Sequence, residues 1–459
     1  MAGKKESIDV SKLIDDRKIT TTQVVTIALC GLVTWLDGID TQSIGIAAPL
    51  IAKSIGLAPG QFGSVFSSAL FGALVGAIGF GPVADRYGRK FLLALSTALF
   101  GLFTLLTAYA WNLETLLVVR FLAGVGLGGA TPCFISMTSE YAPKRHRAAL
   151  VALMWSCFAL GGMSGGFLNG WIISNFGWRE IFHVGGFVPL VVSALVVAFM
   201  PESLRFLIGR GADPSKVRAI LARMYGSADE FKDATFSGPA PEPKGARVMQ
   251  LFTEKRGPMT LLLWTPFFLG FGTLAISSLW TPTLLNMAGV TPATAANLIG
   301  IYGIGAFLGN ASAGKLLDRF GIAFAPVPAF ILGAGAFYAF GQSSGSIALS
   351  GIWLFLTGAL LGMGISSSIV IVSQVYPTSI RSTGAGWAMG MARLGQVILP
   401  WVLGTLLLRK VEASVILTYV AFAPVVAAIA LLFLSRVLKG SDVGPTARSQ
   451  TVREGTAHA

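Results

Sequence analysis

Gly81-Pro82-Val83-Ala84-Asp85-Arg86-Tyr87-Gly88 returns 233 residues later as Gly314-Lys315-Leu316-Leu317-Asp318-Arg319-Phe320-Gly321. In both copies a short charged turn interrupts apolar sequence. Two further anchors keep the spacing. Pro143 and Arg147 match Pro377 and Arg381 at 234 residues, and Pro49 matches Pro282 at 233. Three anchors agreeing within one residue mark an internal duplication.

The sequence between the anchors is apolar. Hydrophobic residues make up 54% of the 459 and charged residues 12%, against about 25% charged in a soluble domain; the mean hydropathy is +0.71. Windows long enough to cross a bilayer recur at about 22–52, 60–84, 90–110, 113–140, 147–174, 180–200, 258–286, 293–316, 323–342, 346–374, 381–408 and 413–436. Pro201–Gly257 is the one long polar stretch among them and divides the windows six and six. The pattern predicts an all-α membrane protein with twelve transmembrane helices in two six-helix pseudo-symmetric halves. The predicted parts are an N-terminal segment 1–21, a bundle 22–200, a linker 201–257, a second bundle 258–437 and a disordered tail 438–459. Fifty-six glycines suit helices that approach closely in lipid. Met1–Lys18 is polar and the first apolar run is too long for a signal h-region, so the first helix is expected to serve as its own insertion signal.

The net charge is +13, and its placement is informative. Lys and Arg gather in Asp85–Lys90, Lys144–Arg147, Arg205–Arg256, Lys315–Arg319 and at Arg381, while the alternate loops near Asn112, Asn175, Gly289 and Ser344 carry few. The positive-inside rule then places both termini and the linker in the cytoplasm. The cations are spread over loops, which argues against nucleic-acid binding. Cys30, Cys133 and Cys157 lie in apolar runs without metal spacing and read as packing residues. No metal, nucleophile or cofactor constellation is visible, so the expectation is a non-enzyme without cofactor.

The polar residues inside the apolar windows are then the functional candidates. Asp37-Gly38-Ile39-Asp40 puts two carboxylates in the first span, where each costs about 2.5–3.5 kcal/mol even on the lenient insertion scale. Burial disfavours a charged carboxyl and a neighbouring arginine favours it, so a group held between the two can load and release a proton. Arg120, about two turns inside the fourth span, needs an acidic partner, and Asp37 and Asp40 both qualify. Arg393 lies midway along the eleventh span. Ser382, Gly386, Met389, Arg393, Gln396 and Pro400 are spaced four, three, four, three, four, which sets them on one helix face with the character of a cavity wall. A guanidinium there can hold a carboxylate through two parallel hydrogen bonds.

These motifs carry a resemblance. The Gly81-x-x-x-Asp85-Arg86-x-Gly88-Arg89-Lys90 loop, the Arg120-x-x-x-Gly124-x-Gly126 run and Pro201-Glu-Ser-x-Arg205-x-Leu resemble signature motifs of the major facilitator superfamily. The Asp37–Asp40 pair and Tyr376-Pro-Thr-x-x-Arg381-x-Thr-Gly384-x-Gly-Trp387-x-x-Gly390-x-x-Arg393-x-Gly395 resemble its aromatic-acid/proton symporter branch. The resemblance covers roughly residues 20–435.

It implies the major facilitator fold and a monomeric, proton-coupled importer of a small aromatic carboxylic acid, such as benzoate or hydroxybenzoate, in a bacterial inner membrane. The proton is then the coupling ion and membrane lipid the surroundings. By that resemblance Asp37, Asp40 and Arg120 handle the proton, with the division between the two aspartates open. Arg393, Trp280, Ser367 and Gln396 bind substrate. Asp85, Arg86, Arg89, Glu140, Arg147, Asp318, Arg319 and Arg381 form a cytoplasmic gating network. Other organic anions, such as a muconate-like acid, and other branches carrying sugars or drugs are the alternatives. A sugar carrier would show more amides and hydroxyls, and a cation carrier would not place Arg393 in its site.

Overall fold

The computed structural model describes residues 7–226, 231, 234–237, 248–253, 256–343, 346–377 and 379–440. The helices follow the apolar windows. They are α1 (Val10–Asp16), α2 (Thr21–Ile55), α3 (Phe62–Tyr87), α4 (Arg89–Thr107), α5 (Leu113–Tyr141), α6 (Lys144–Asn175), α7 (Trp178–Phe199), α8 (Leu204–Gly209) and α9 (Pro214–Tyr225). After the linker come α10 (Gly257–Leu279), α11 (Thr281–Met287), α12 (Pro292–Phe324), α13 (Pro326–Gln342), α14 (Ile347–Val375), α15 (Arg381–Leu408) and α16 (Ala413–Gly440). Eleven of these segments are long and apolar enough to cross a membrane. The twelfth span, α13, is 17 residues long, at the short end of what crosses a bilayer. Ile78, Val197, Phe187 and Leu332 are exposed on these helices, as expected of side chains that meet acyl chains.

The duplication is visible in the backbone. α5 and α14 each have 29 residues and begin and end 234 positions apart. Their N-caps correspond too: Asn112 accepts from the Thr115 N–H at 2.8 Å and Ser346 from the Leu349 N–H at 3.4 Å. Gly88 and Gly321, the last residues of the repeated loop motif, both sit at positive φ, 104° and 72°. A β-carbon disfavours that conformation. The tertiary contacts repeat as well. Gly72 and Gly76 of α3 meet the Phe121 and Val125 carbonyls of α5, and Gly305 and Gly309 of α12 meet the Phe355 and Ala359 carbonyls of α14.

Contacts group the chain into two compact units, residues 1–43 with 68–243, and residues 44–67 with 244–459. In the first, a core of Leu92, Phe100, Phe134, Met137 and Tyr141 extends to Leu204, Leu221 and Phe231 of the linker. In the second, a core of Leu263, Phe267, Phe330, Leu361 and Leu431 is joined by the end of α2 and the start of α3. Gly45 lies against Leu279, Gly60 and Gly63 lie against Gly404, and the Ser67 hydroxyl donates to the Val397 carbonyl at 2.6 Å.

Three expectations need correction. The seventh span, read as continuous over 258–286, divides at Trp280 into α10 and α11, because Pro282 lacks the N–H that would continue the ladder. The N-terminal segment and linker are structured: besides α1, α8 and α9, β1 (Ser7–Asp9) pairs in parallel with β2 (Thr235–Ser237). The final helix runs to Gly440, and the rest of the tail read as disordered, 441–459, lies outside the described residues.

A methyl at Gly309 overlaps the Ala359 backbone, whereas one at Gly386 meets nothing within 4 Å. Gly309→Val should therefore lower the thermal unfolding midpoint of the detergent-solubilised protein by several degrees, and Gly386→Ala should leave it within about a degree, since inserted volume in a packed core costs about 1–3 kcal/mol. Equal midpoints would remove the close approach of α12 and α14 from the account.

Candidate functional site

In the first unit the site is built on α2. Its hydroxyls bond to their own helix, Thr34 to the Cys30 carbonyl and Ser43 to the Ile39 carbonyl, both at 2.8 Å. The two aspartates do not. Asp40 is 1% exposed and accepts from three donors: Arg120 Nη2 at 2.9 Å, Arg120 Nη1 at 3.4 Å and the Thr104 hydroxyl at 2.7 Å. Arg120 is also 1% exposed, and its Nε has no partner among the described residues. One carboxylate thus joins α2, α4 and α5 inside the bundle. The partner of Arg120, open between two aspartates in the sequence, is Asp40.

Asp37 differs. It is half-buried and accepts from the Thr41 hydroxyl at 3.4 Å. Its surroundings are polar: Trp35 donates its indole N–H to Ser164 at 3.0 Å, Asn169 donates to Ser43 at 3.0 Å, and the Gln42 side-chain oxygen is enclosed without a partner among the described residues. Gly38, between the aspartates, lets α2 touch the α6 backbone, since a methyl there would overlap the Phe158 carbonyl.

In the second unit Arg393 is half-buried on α15, and its Nη1 donates to Gln396 Oε1 at 3.4 Å. The helix face that carries it is open at Ser382 and Gly386, half-buried from Met389 to Gln396, and closed at Pro400. Ser367 is fully buried, and its hydroxyl has no partner among the described residues. Ser366 donates to Asn310 at 2.8 Å. Trp280, expected to stack on substrate, is 0% exposed. Its N–H donates to the Pro400 carbonyl at 3.2 Å, and its ring meets Phe66 edge-on at 5.3 Å between centroids. Protein packing occupies the ring that the sequence offered to a ligand.

The loop-face charges separate into two groups. Arg89 pairs with Glu140, and Glu140 also accepts from Ser203 at 2.5 Å. Arg147 reaches Asp15 at 3.8 Å and donates to the Ala142 carbonyl at 3.4 Å; its counterpart Arg381 donates to the Tyr376 carbonyl at 3.3 Å. Asp85, Arg86, Asp318 and Arg319 are exposed, with Arg86 lending only its carbonyl to Arg210. The residue missed by sequence reasoning is Glu202. Its carboxylate accepts from the Arg89 and Lys90 N–H groups at 2.9 and 3.0 Å, an acid on the N-terminus of α4. The signal was the acid of the Pro201-Glu202-Ser203 motif, read only as a family mark.

The internal repeat tests whether these charges belong to the scaffold. At the fixed 234-residue offset Asp37, Asp40 and Arg120 correspond to Phe271, Leu274 and Leu354, and Arg393 corresponds to Ala159. Gly38 and Gly161 correspond to Gly272 and Gly395, and both pairs make the same backbone contact. The same helix packing is therefore achieved with apolar residues at each charged position, so folding does not require the charges.

The family model for the Major Facilitator Superfamily matches residues 30–400. The chain is 37% identical over 444 residues to the 4-hydroxybenzoate transporter PcaK of Acinetobacter baylyi, covering 95% of this chain and 96% of that protein. It is 32% identical to a gallate transporter of Pseudomonas putida, covering 93% and 94%. Among solved structures, a D-xylose–proton symporter superposes with a TM-score of 0.69 at 17% identity over 90% of this chain and 96% of that one, a likeness of fold.

Removing one partner of a buried ion pair leaves an uncompensated charge and costs about 3–5 kcal/mol. Asp40→Leu and Arg120→Leu should each lower the thermal unfolding midpoint in detergent. The double variant copies the other repeat and should recover most of the loss. A double variant less stable than both singles would show that the pair is part of the scaffold after all.

Proposed function

Because this chain belongs to the major facilitator superfamily, we propose that it carries a small aromatic carboxylate into the cell together with protons. The observation that carries this reading is the placement of charge. Four ionisable residues at membrane depth stand where the opposite repeat is apolar, and one of them is a half-buried arginine of the kind that grips a carboxylate. Full-length likeness to carriers of 4-hydroxybenzoate and gallate supports the substrate class.

Arg393 receives the substrate carboxylate, and Gln396, already within its reach, holds the guanidinium in place. Ser367 is the candidate donor to a ring hydroxyl. Asp37, the more accessible acid, loads the proton. Asp40 holds Arg120, and a proton arriving on Asp40 would release the guanidinium for the opposite movement of charge. The Arg89–Glu140–Glu202 cluster latches one state of the cycle at the loop face, with Arg147 and Arg381 in the same role in each repeat. The basic loops and both termini face the cytoplasm of a bacterial inner membrane.

The energetics favour coupling. Moving one anion into a negative interior costs about 2.3 kcal/mol per 100 mV. One accompanying proton cancels that charge and adds the pH gradient. In proteoliposomes with an imposed inward proton gradient, the protein should accumulate benzoate or 4-hydroxybenzoate, and collapsing the gradient should end accumulation. Arg393→Ala should reduce uptake at least tenfold. Asp37→Asn should abolish gradient-driven accumulation while retaining substrate exchange. Undiminished uptake by Arg393→Ala, or accumulation indifferent to the gradient, would refute the assignment.

A further inference from the structure

The polar ends of the first unit enclose a second cavity, distant in sequence from the residues above. β1 pairs in parallel with β2, with Ser7 opposite Thr235 and Asp9 opposite Ser237. Asp9 then caps α1 by accepting from the Ser11 N–H at 2.9 Å. At the other end of α1, Asp15 accepts from the Lys144 N–H at 2.6 Å, and Arg17 lies over the Tyr225 ring at 4.8 Å. The N-terminal segment is thus a strap tied to the linker, to the start of α6 and to α9.

Beneath the strap lies a cavity of about 390 Å³, within the range that holds small ligands. One side is apolar: Val10 and Ile14 of α1, and Leu204 and Ile208 of α8. The other side carries Lys144, Arg147 and Arg205 against the carboxylates of Asp15 and Glu140. Both acids already have donors, Asp15 from the Lys144 backbone and Glu140 from Arg89 and Ser203. The Arg147 Nε is enclosed and has no partner among the described residues. The walls therefore present a surplus of positive charge facing an apolar surface at the distance of a small ring.

We propose that this cavity is a second binding site, for a small aromatic carboxylate, whose charge meets Lys144, Arg147 and Arg205 and whose ring lies between α1 and α8. A bound ligand bridges the strap to the ends of α5 and α6. The walls themselves argue for the ligand class; equating the ligand with the carried substrate rests on the function proposed above.

Calorimetric titration of the purified Arg393→Ala protein with benzoate separates the two sites, because the proposed transport contact is absent. One saturable site should remain. Lys144→Ala/Arg205→Ala on that background should weaken it at least tenfold, as should Ser11→Trp, which fills the cavity. Lys216→Ala, an exposed cation on α9 outside the cavity, should have no effect. Ligand-free unfolding midpoints matching the parent would establish that these variants are folded. In the otherwise unaltered protein, two benzoate sites should fall to one in Lys144→Ala/Arg205→Ala. No saturable site in Arg393→Ala, or a site indifferent to the cavity variants, overturns the proposal. So does displacement of benzoate by equimolar inorganic phosphate or by phosphatidylglycerol in mixed micelles, which would mark a general anion or lipid site. None of these outcomes depends on transport, so failure of the transport reading would show separately in the proteoliposomes.

Discussion

Helices in lipid gain little from hydrophobic burial against one another, so their association rests on close van der Waals approach. Here that approach is made by glycines that let one backbone touch the next. Gly72 and Gly76 face α5, Gly124 and Gly128 face α3, and Gly38 and Gly161 bring α2 and α6 together; the second repeat does the same at Gly305, Gly309, Gly358, Gly362, Gly272 and Gly395. Everything else depends on this framework. Because backbone contacts hold the helices, the ionisable side chains between them are released from a structural task.

The Asp40–Arg120 pair shows what that release permits. A buried ion pair is weak evidence for stability, since desolvation offsets its attraction. The other repeat fills the same space with Leu274 and Leu354 and packs alike. The pair is therefore best understood as an exchangeable element, enclosed and satisfied with Thr104 as a third party, and stable only while Asp40 stays ionised. Asp37 lies one turn away, half-buried, on the side of α2 that also faces Trp35, Ser164 and Asn169.

Much of this was legible in the sequence because it is local or periodic. Apolar windows set the helices, and the 234-residue offset between Pro143 and Pro377 reappears in the matched bounds of α5 and α14. What was not legible depends on distant partners. Asp37 and Asp40 are equivalent by spacing, and only the position of Arg120 and Thr104 distinguishes them. Trp280 looked available because Pro282 follows it, yet Phe66 and Pro400, from other helices, decide its burial. Glu202 carries no local sign that it will reach the start of α4. The strap has no periodicity to betray it, since three-residue strands gain their meaning only from their partner.

That strand pairing also fixes an order of events during synthesis. Ser7 pairs with Thr235, so β1 leaves the ribosome before six membrane helices and most of the linker have been made. At about 5–20 residues per second, it waits roughly 10–50 seconds for its partner. The strap can close only after α2 to α7 have been inserted and before the second bundle is complete. The ribbon of six residues thus divides the biogenesis of the protein into two stages, with the first half fastened while the second is still being threaded into the membrane.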